Sequence, residues 1–495
     1  MTEKTRQPQI GPLPRPAIST SRLPATLTRV VWALWFVSVV VTAVRLSSTE
    51  TWSLWGLFAV DGLTVVMWVV VTFFSGIVHS YSRRYMAGDS ALSAFFARVF
   101  SFTLVVMALV ASNSFVVFAV LWLTMGLVMS SLIGHVDTWP QARRAAATSR
   151  RYFVASSGLL AVALGLVWWE TGATTISAVT ASAVAPSVIV LTAAATLLLA
   201  AMVQSALLPF HTWLLSSMTA PTPASALMHA GFVNAGGILL LRFAPVVTVD
   251  DGFMLVIVVA GAVSALLGKL LKTVQTDVKG KLGCSTIGQM GFMFMQAGLG
   301  FFGAAITHLI LHGFYKAYQF LSAGNNVEQQ NPRAPNAEPQ SLGLAGIAAI
   351  LVTALAGGVV FATLTGEGTA FDSGLLLAGL VVLTTMHAAR GVVRNSSLPA
   401  ALRYGGVALV FLPAIAVYAW VYTLIEHALV GVPLVTAPTE LTVVHLAVAA
   451  AFVFAYLAIE SGVYQRSHRL YVTLVNATTP APGTITTTRE EYNEH

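Results

Sequence analysis

Charge is what this chain has least of. Only 9% of its 495 residues are Asp, Glu, Lys or Arg, and 56% are hydrophobic, whereas a soluble globular domain is about 25% charged. That shortage excludes a water-soluble fold and defines an integral membrane protein. Cysteine is almost missing. With Cys284 alone, an intrachain disulfide is impossible and a cysteine-based metal cluster lacks ligands. No polar stretch is long enough to build a soluble catalytic domain. The alternating segments of roughly ten residues that form an outer-membrane barrel are missing too. In their place stand apolar runs of about 18–23 residues, the length at which a helix crosses a bilayer core. No cleavable signal is evident, because the run after Arg29 has the length of a spanning helix rather than of a signal core.

The expected fold is therefore all-α, with about fourteen transmembrane helices. The runs lie near residues 28–46, 58–79, 93–111, 114–134, 152–169, 186–217, 223–243, 253–271, 283–299, 301–322, 342–364, 373–390, 403–425 and 440–460. The sixth is too long for one straight crossing and contains Pro209, so a broken helix is expected there. Around these runs we expect a disordered cytoplasmic arm (1–26), a first membrane half (27–322), a polar linker (323–341), a second half (342–462) and a polar cytoplasmic tail (463–495), partly disordered.

The net charge of +7 has a membrane explanation. Arg83 and Arg84, then Arg143, Arg144, Arg150 and Arg151, then Lys272, Lys279 and Lys281, then Arg394 fall in alternate loops, all on one side. Glu50, Glu170, Asp250, Asp251, Glu367, Asp372, Glu426 and Glu440 fall on the other. That alternation follows the positive-inside rule and places both termini in the cytoplasm of a bacterial inner membrane. It leaves no basic stacking platform for nucleic acid.

Residues 204–324 hold polar groups within apolar runs. His308, His312 and Lys316 recur every fourth residue, which lines them along one helix face. Histidine titrates near neutrality, and a buried lysine has an uncharged amine within reach. Such a stripe passes protons, and ionisable groups at membrane depth mark ion paths. Two satisfied packing histidines and a snorkelling lysine are the plainer alternative. As a metal site, His308 and His312 lack the glutamate and third ligand that a zinc enzyme needs. Pro221 and Pro223 open an apolar helix that carries His229 two turns in. Gln204, just before Pro209, can relay hydrogen bonds along a cavity lined by the broken helix. Asp277 and Lys279 lie on a short loop, as surface ion-pair partners or as a mouth or partner contact. Asp61 is a helix N-terminal carboxylate or a mouth residue. Arg390 ends a span by snorkelling, and His387 stands beside it without an assigned role.

At these residues the chain resembles a known family. The run LPFHTWLLSSMTAPTPASALMHAG, then VQTDVKGKLGCSTIGQMGFM, then HLILHGFYKAYQFLSAG resemble segments of the antiporter-like membrane subunits, which include complex I subunit 5 and the Mrp cation/proton antiporters. DGL at 61–63 and Tyr81 to Met86 match an earlier element of the same family, and the match covers about 60–325. The resemblance implies an antiporter-like fold with inverted repeats. It also marks departures. Where the family carries Trp-Glu, Trp122 is followed by Leu123. Where it carries the partner lysine, Gln204 stands. The second half, LVTALAGGVVFATLTG, has neither the proline nor the charged residue of the family's second broken helix.

The short length and missing charges are most similar to a divergent branch, the membrane subunits of inorganic-carbon accumulation complexes. That implies a transporter subunit rather than an enzyme, with no cofactor in this chain. Its implied partner is a large cytoplasmic zinc protein resembling a β-carbonic anhydrase, which would hold the zinc. Proton or sodium flow through the membrane subunit would drive one-way CO2 hydration. The alternatives are a proton-translocating subunit of a complex I-like, hydrogenase or Mrp assembly, and a non-conducting anchor.

Overall fold

Short polar side chains start the helices. In the computed structural model, Asp61 accepts from the Thr64 amide, Ser187 from Val190, Asp250 from Phe253 and Asp277 from Gly280. Each pairs one of the amides that a helix start leaves open. The structure describes residues 22–479 except 49, 183, 324–342, 395–398, 430, 461 and 463–465. The expected arm (1–26) lies outside the described residues up to residue 21, and the expected linker lies outside them beyond Ala323.

The chain opens with α1 (Leu23–Ser47), a hairpin of β1 (Trp52–Leu54) and β2 (Phe58–Val60), then α2 (Gly62–Tyr85), α3 (Leu92–Ala111), α4 (Phe115–Ile133), α5 (Pro140–Thr171), α6 (Ile176–Ala181) and α7 (Val188–Gln204). After α7 the helix breaks. Then follow α8 (Thr212–Ser216), α9 (Thr222–Ala230), α10 (Ala235–Arg242), α11 (Ala244–Val247), α12 (Asp251–Thr273), α13 (Val278–Gly298) and α14 (Phe302–Ser322). The remaining helices are α15 (Leu344–Thr365), α16 (Gly374–Val393), α17 (Ala400–Ala428), α18 (Val443–Glu460) and α19 (His468–Thr478).

Ten described helices are long and apolar enough to cross a membrane, with α9–α10 counted as one, and α7 and α18 are shorter apolar helices. α13 and α14 are long enough, at 21 residues each, but too polar to join that set. The number fourteen is therefore not established. Other boundaries also move. Residues 58–60 are a strand rather than the start of a span. The arginines 143–151 lie on α5, which runs 32 residues, rather than in a loop. The tail carries the helix α19, whose Leu474 is buried.

The break lies near Pro209 but begins earlier, at Ser205, and Pro209 sits inside it. A second break was not foreseen from the sequence. Gly231 ends α9, and a single tight turn, Phe232–Asn234, precedes α10.

One core runs from α2 through α14, and a smaller one joins α15–α18 to α12, α13 and the start of α14. Large apolar side chains such as Phe36, Val352, Leu409, Trp420 and Phe454 face outward, a surface suited to lipid. Trp168 and Trp169 are exposed at the end of α5, as in the aromatic belts of membrane interfaces.

Candidate functional site

α14 turns its polar stripe inward. Lys316 is fully buried and His312 is 6% exposed, while Phe314, Tyr315 and Tyr318 take the outer face. From His308 to Lys316 the stripe rises about 12 Å. The rings of His308 and His312 stack with centroids 5.9 Å apart. Close packing against α9 depends on Gly313, where a Cβ would come within 2.8 Å of the Ala230 carbonyl and 2.9 Å of the Phe74 ring.

That approach sets His229 beside the stripe. His229 stacks on Phe320, centroids 4.5 Å apart, one turn beyond Lys316. Lys316 Nζ donates to the Leu282 carbonyl at 3.0 Å. Thr286 Oγ1 donates to the same carbonyl at 2.9 Å and lies 3.0 Å from His229 Nδ1. A carbonyl only accepts, so the threonine hydrogen is used there, and His229 Nδ1–H must donate to Thr286. This fixes the tautomer. It leaves Nε2 as a buried acceptor with no protein partner among the described residues. Among the same residues, both nitrogens of His312, Nε2 of His308, Oε1 of Gln296 and both amide atoms of Gln204 are likewise buried without a protein partner. Native proteins pair most such atoms, and those of His308, His312 and His229 lie on α14 or against it.

Lys316 makes no ion pair among the described residues. His308 lines a cavity of about 330 Å³ with Gln289, Gln296, Thr384 and Tyr418. Among the described residues no three or more His, Cys, Asp or Glu side chains group as metal ligands would.

The other residues singled out from the sequence stand apart from this network. Gln204 ends α7, fully buried. Pro209 lies in the break below it, and Pro221 and Pro223 start α9. Lys279 Nζ donates to the carbonyls of Met218 (3.2 Å) and Ala220 (3.0 Å), pinning the turn before Pro221. Asp277 caps α13. Asp61 is at the opposite end of the molecule, where it caps α2 and forms a buried ion pair with Arg242. Arg242 also donates to Thr64 Oγ1 at 2.9 Å.

Around Trp122 the first half is apolar. Trp122 is buried and donates to Ser156 Oγ. Phe118, Trp122, Phe102 and Met125 surround a residual void of about 30 Å³ whose only polar lining side chain is Asn234.

Sequence reasoning missed Thr286, Gln296, Tyr418 and Arg242. Arg242 had a usable signal, since a cation among the acidic loops needs a buried partner. It also missed a cluster at the acidic end. There Tyr422 donates to Glu426 at 2.7 Å, its hydroxyl lies 3.3 Å from Glu367, and Thr436 donates to Glu426 at 2.8 Å.

Broken helices and a His–His–Lys stripe on α14 fit an antiporter-like membrane subunit. A family model described as "NADH:quinone oxidoreductase/Mrp antiporter, TM" matches residues 112–366, and one described as "NADH-Ubiquinone oxidoreductase (complex I), chain 5 N-terminus" matches 49–96. The chain belongs to this family and is a multi-pass membrane protein.

Within the family the chain is similar to the "Probable inorganic carbon transporter subunit DabB" of Bacillus subtilis, 32% identical over 82% of this chain and 81% of the relative. It is also similar to DabB1 of Halothiobacillus neapolitanus, 38% identical over 61% of this chain and 56% of the relative, so the alignment spans just over half of that protein. Such relatives are transporter subunits, not enzymes. In fold the chain resembles the Mrp complex from Dietzia sp. DQ12-45-1b, with a TM-score of 0.54 over 95% of this chain and 51% of that one, at 22% identity.

Proposed function

We propose that this chain is the membrane subunit of an energy-coupled inorganic-carbon accumulation complex in a bacterial inner membrane, with both termini cytoplasmic. Protons or sodium ions pass along Lys316, His312, His308 and His229, with Gln204 beside the break. Their passage drives a large cytoplasmic carbonic-anhydrase-like partner, the DabA subunit of such complexes, on which the catalytic zinc resides. No cofactor is assigned to this chain. Mouth or partner-contact roles fall to Asp277, Lys279 and Asp61.

One observation carries the reading. Among the described residues, His229 Nε2 and both ring nitrogens of His312 are buried without a protein partner, beside a buried lysine that makes no ion pair. Groups so placed bind and release protons or hydrated ions at membrane depth. Tyr418 lines the cavity of His308 and lies one turn from Tyr422 on α17, so the acidic cluster provides access from the far side.

The test is Lys316→Ala in a strain that depends on this chain and its partner for growth at low CO2. Bicarbonate uptake should fall to the level of cells lacking the gene while membrane levels stay normal. Uptake at the unmodified rate refutes the assignment. The apolar first half favours one second reading, a non-conducting anchor, which requires that liposomes holding the pure complex show no cation flux. A complex I-like, hydrogenase or Mrp role instead requires redox or antiporter subunits to co-purify.

A further inference from the structure

On the outer side of the stripe, α12, α13, α16 and α18, with Tyr315 of α14, leave an open notch of about 320 Å³. Its rim is basic. Lys269 Nζ lies 2.9 Å from His387 Nε2, and Lys272 lines the same notch one turn or less away. Among the described residues no acidic side chain lines it. This rim is at the basic end of the molecule, since α12 ends at Thr273 and Lys279 follows after a short turn.

The lower wall is apolar. Leu380, Leu383 and Phe452 form it, and the same three residues also line a second cavity of about 390 Å³ that runs on between α16 and α18. That second cavity extends to Phe371 and Leu441 near the acidic end. Its wall includes Gly379, where an added Cβ would meet nothing within 4 Å. Together the two form one groove, cationic at a single end and apolar along the rest except for His445 near the acidic end.

We propose that this groove is a binding site for one anionic diacyl phospholipid. The phosphodiester sits on Lys269 and Lys272 beside His387, and an acyl chain runs between α16 and α18. Basic pockets between membrane helices suit acidic headgroups, and the charge distribution along the groove matches that of an amphiphile. A small free anion would use the rim but leave the apolar length open. The site also has a consequence for the stripe. The notch shares Gln289, Phe292 and Thr384 with the cavity of His308, so a seated lipid closes the lateral opening to that cavity. The inference is independent of which ion moves and of what the chain is coupled to.

Native mass spectrometry of the intact, delipidated chain tests it, with phosphatidylglycerol and phosphatidylcholine of equal chain length as probes. One phosphatidylglycerol should be retained in preference to phosphatidylcholine. Lys269→Gln with Lys272→Gln should weaken that retention on the order of 10–30-fold, and the paired arginine substitutions should preserve it. Gly379→Phe, which fills the acyl groove and leaves the rim unchanged, should also abolish preferential retention. Millimolar inorganic phosphate should not displace the lipid. Equal retention of both lipids, indifference to the Gln pair or to Gly379→Phe, or displacement by phosphate overturns the proposal. So does a photo-crosslinker at position 379 that captures a polypeptide from native membranes in place of lipid.

Discussion

Thr286 is the residue on which the buried network turns. Its hydroxyl donates to Leu282 O and accepts from His229 Nδ1, so it connects the histidine on α9 to the carbonyl that Lys316 reaches from α14. Thr286→Val keeps the shape and removes the hydroxyl. His229 Nδ1–H then loses its acceptor, at a cost of roughly 1–3 kcal/mol for a buried unpaired group. Bicarbonate uptake should drop about tenfold or more on that scale, and Thr286→Ser should restore most of it. Uptake that Thr286→Val leaves unchanged removes His229 from the path. The stripe itself was legible in the sequence, because His308, His312 and Lys316 share one helix and the helical period is fixed. The Thr286 bridge was not, because it joins residues 57 positions apart and depends on Gly313 letting two helices touch. The burial of Gln204 without a partner was equally invisible, since its polarity can be read from the chain but its surroundings cannot.

At the scale of elements, the acidic end ties three segments together. Glu367 lies in the turn between α15 and α16, outside the spans, and meets Tyr422 and Glu426 from α17. Gly303, the second residue of α14, packs on Glu426, since a Cβ there would come within 3.0 Å of Glu426 Cγ. Burial first, then the neighbouring Glu426 carboxylate, push the Glu367 carboxyl up to about 7. Because Tyr422 has one hydrogen and gives it to Glu426 at 2.7 Å, a protonated Glu367 supplies the second hydrogen of the cluster. A carboxyl whose pKa is raised in the fold binds its proton more tightly there than in the unfolded chain. Its contribution to stability is whole below the ordinary value of 4.5 and is lost as pH rises through about 7. The thermal midpoint of the detergent-solubilised chain should therefore fall between pH 4.5 and 7. Glu426→Gln should flatten that fall by removing the neighbouring charge. An unchanged slope in Glu426→Gln means that the two carboxylates do not share a proton near neutrality. Alternating loop charge was enough to put Glu367 and Glu426 on one side of the membrane. It could not bring them together, because the two loops are joined only by how α15 and α17 pack.

Across the whole molecule most cations lie at one end and most carboxylates at the other, and Arg242, like Arg45, is a buried cation at the acidic end. Arg242 is 9% exposed against Asp61 at 8%, and both are held by Thr64. The pair fastens the start of α2 to the end of α10, and so closes the first half above its apolar interior. The alternation of loop charge and the run lengths made this two-ended architecture legible. The pairing inside it was not, because an ion pair across 181 positions leaves no periodic trace. Its energetics are asymmetric. Two charges removed from water together are close to break-even, but one left alone in the interior costs about 3–5 kcal/mol. Arg242→Met should lower the thermal midpoint sharply, since Asp61 is then buried without a counter-charge. Asp61→Asn alone should do the same from the other side. In the double variant, the introduced side-chain amide oxygen still accepts from the Thr64 N–H to cap α2, and no charge is left unpaired. The double variant should thus be more stable than either single one, as measured by thermal unfolding in detergent. If the two losses simply add, the pair is not a closed unit, and each residue contributes through separate contacts with Thr64 and the Val110 carbonyl.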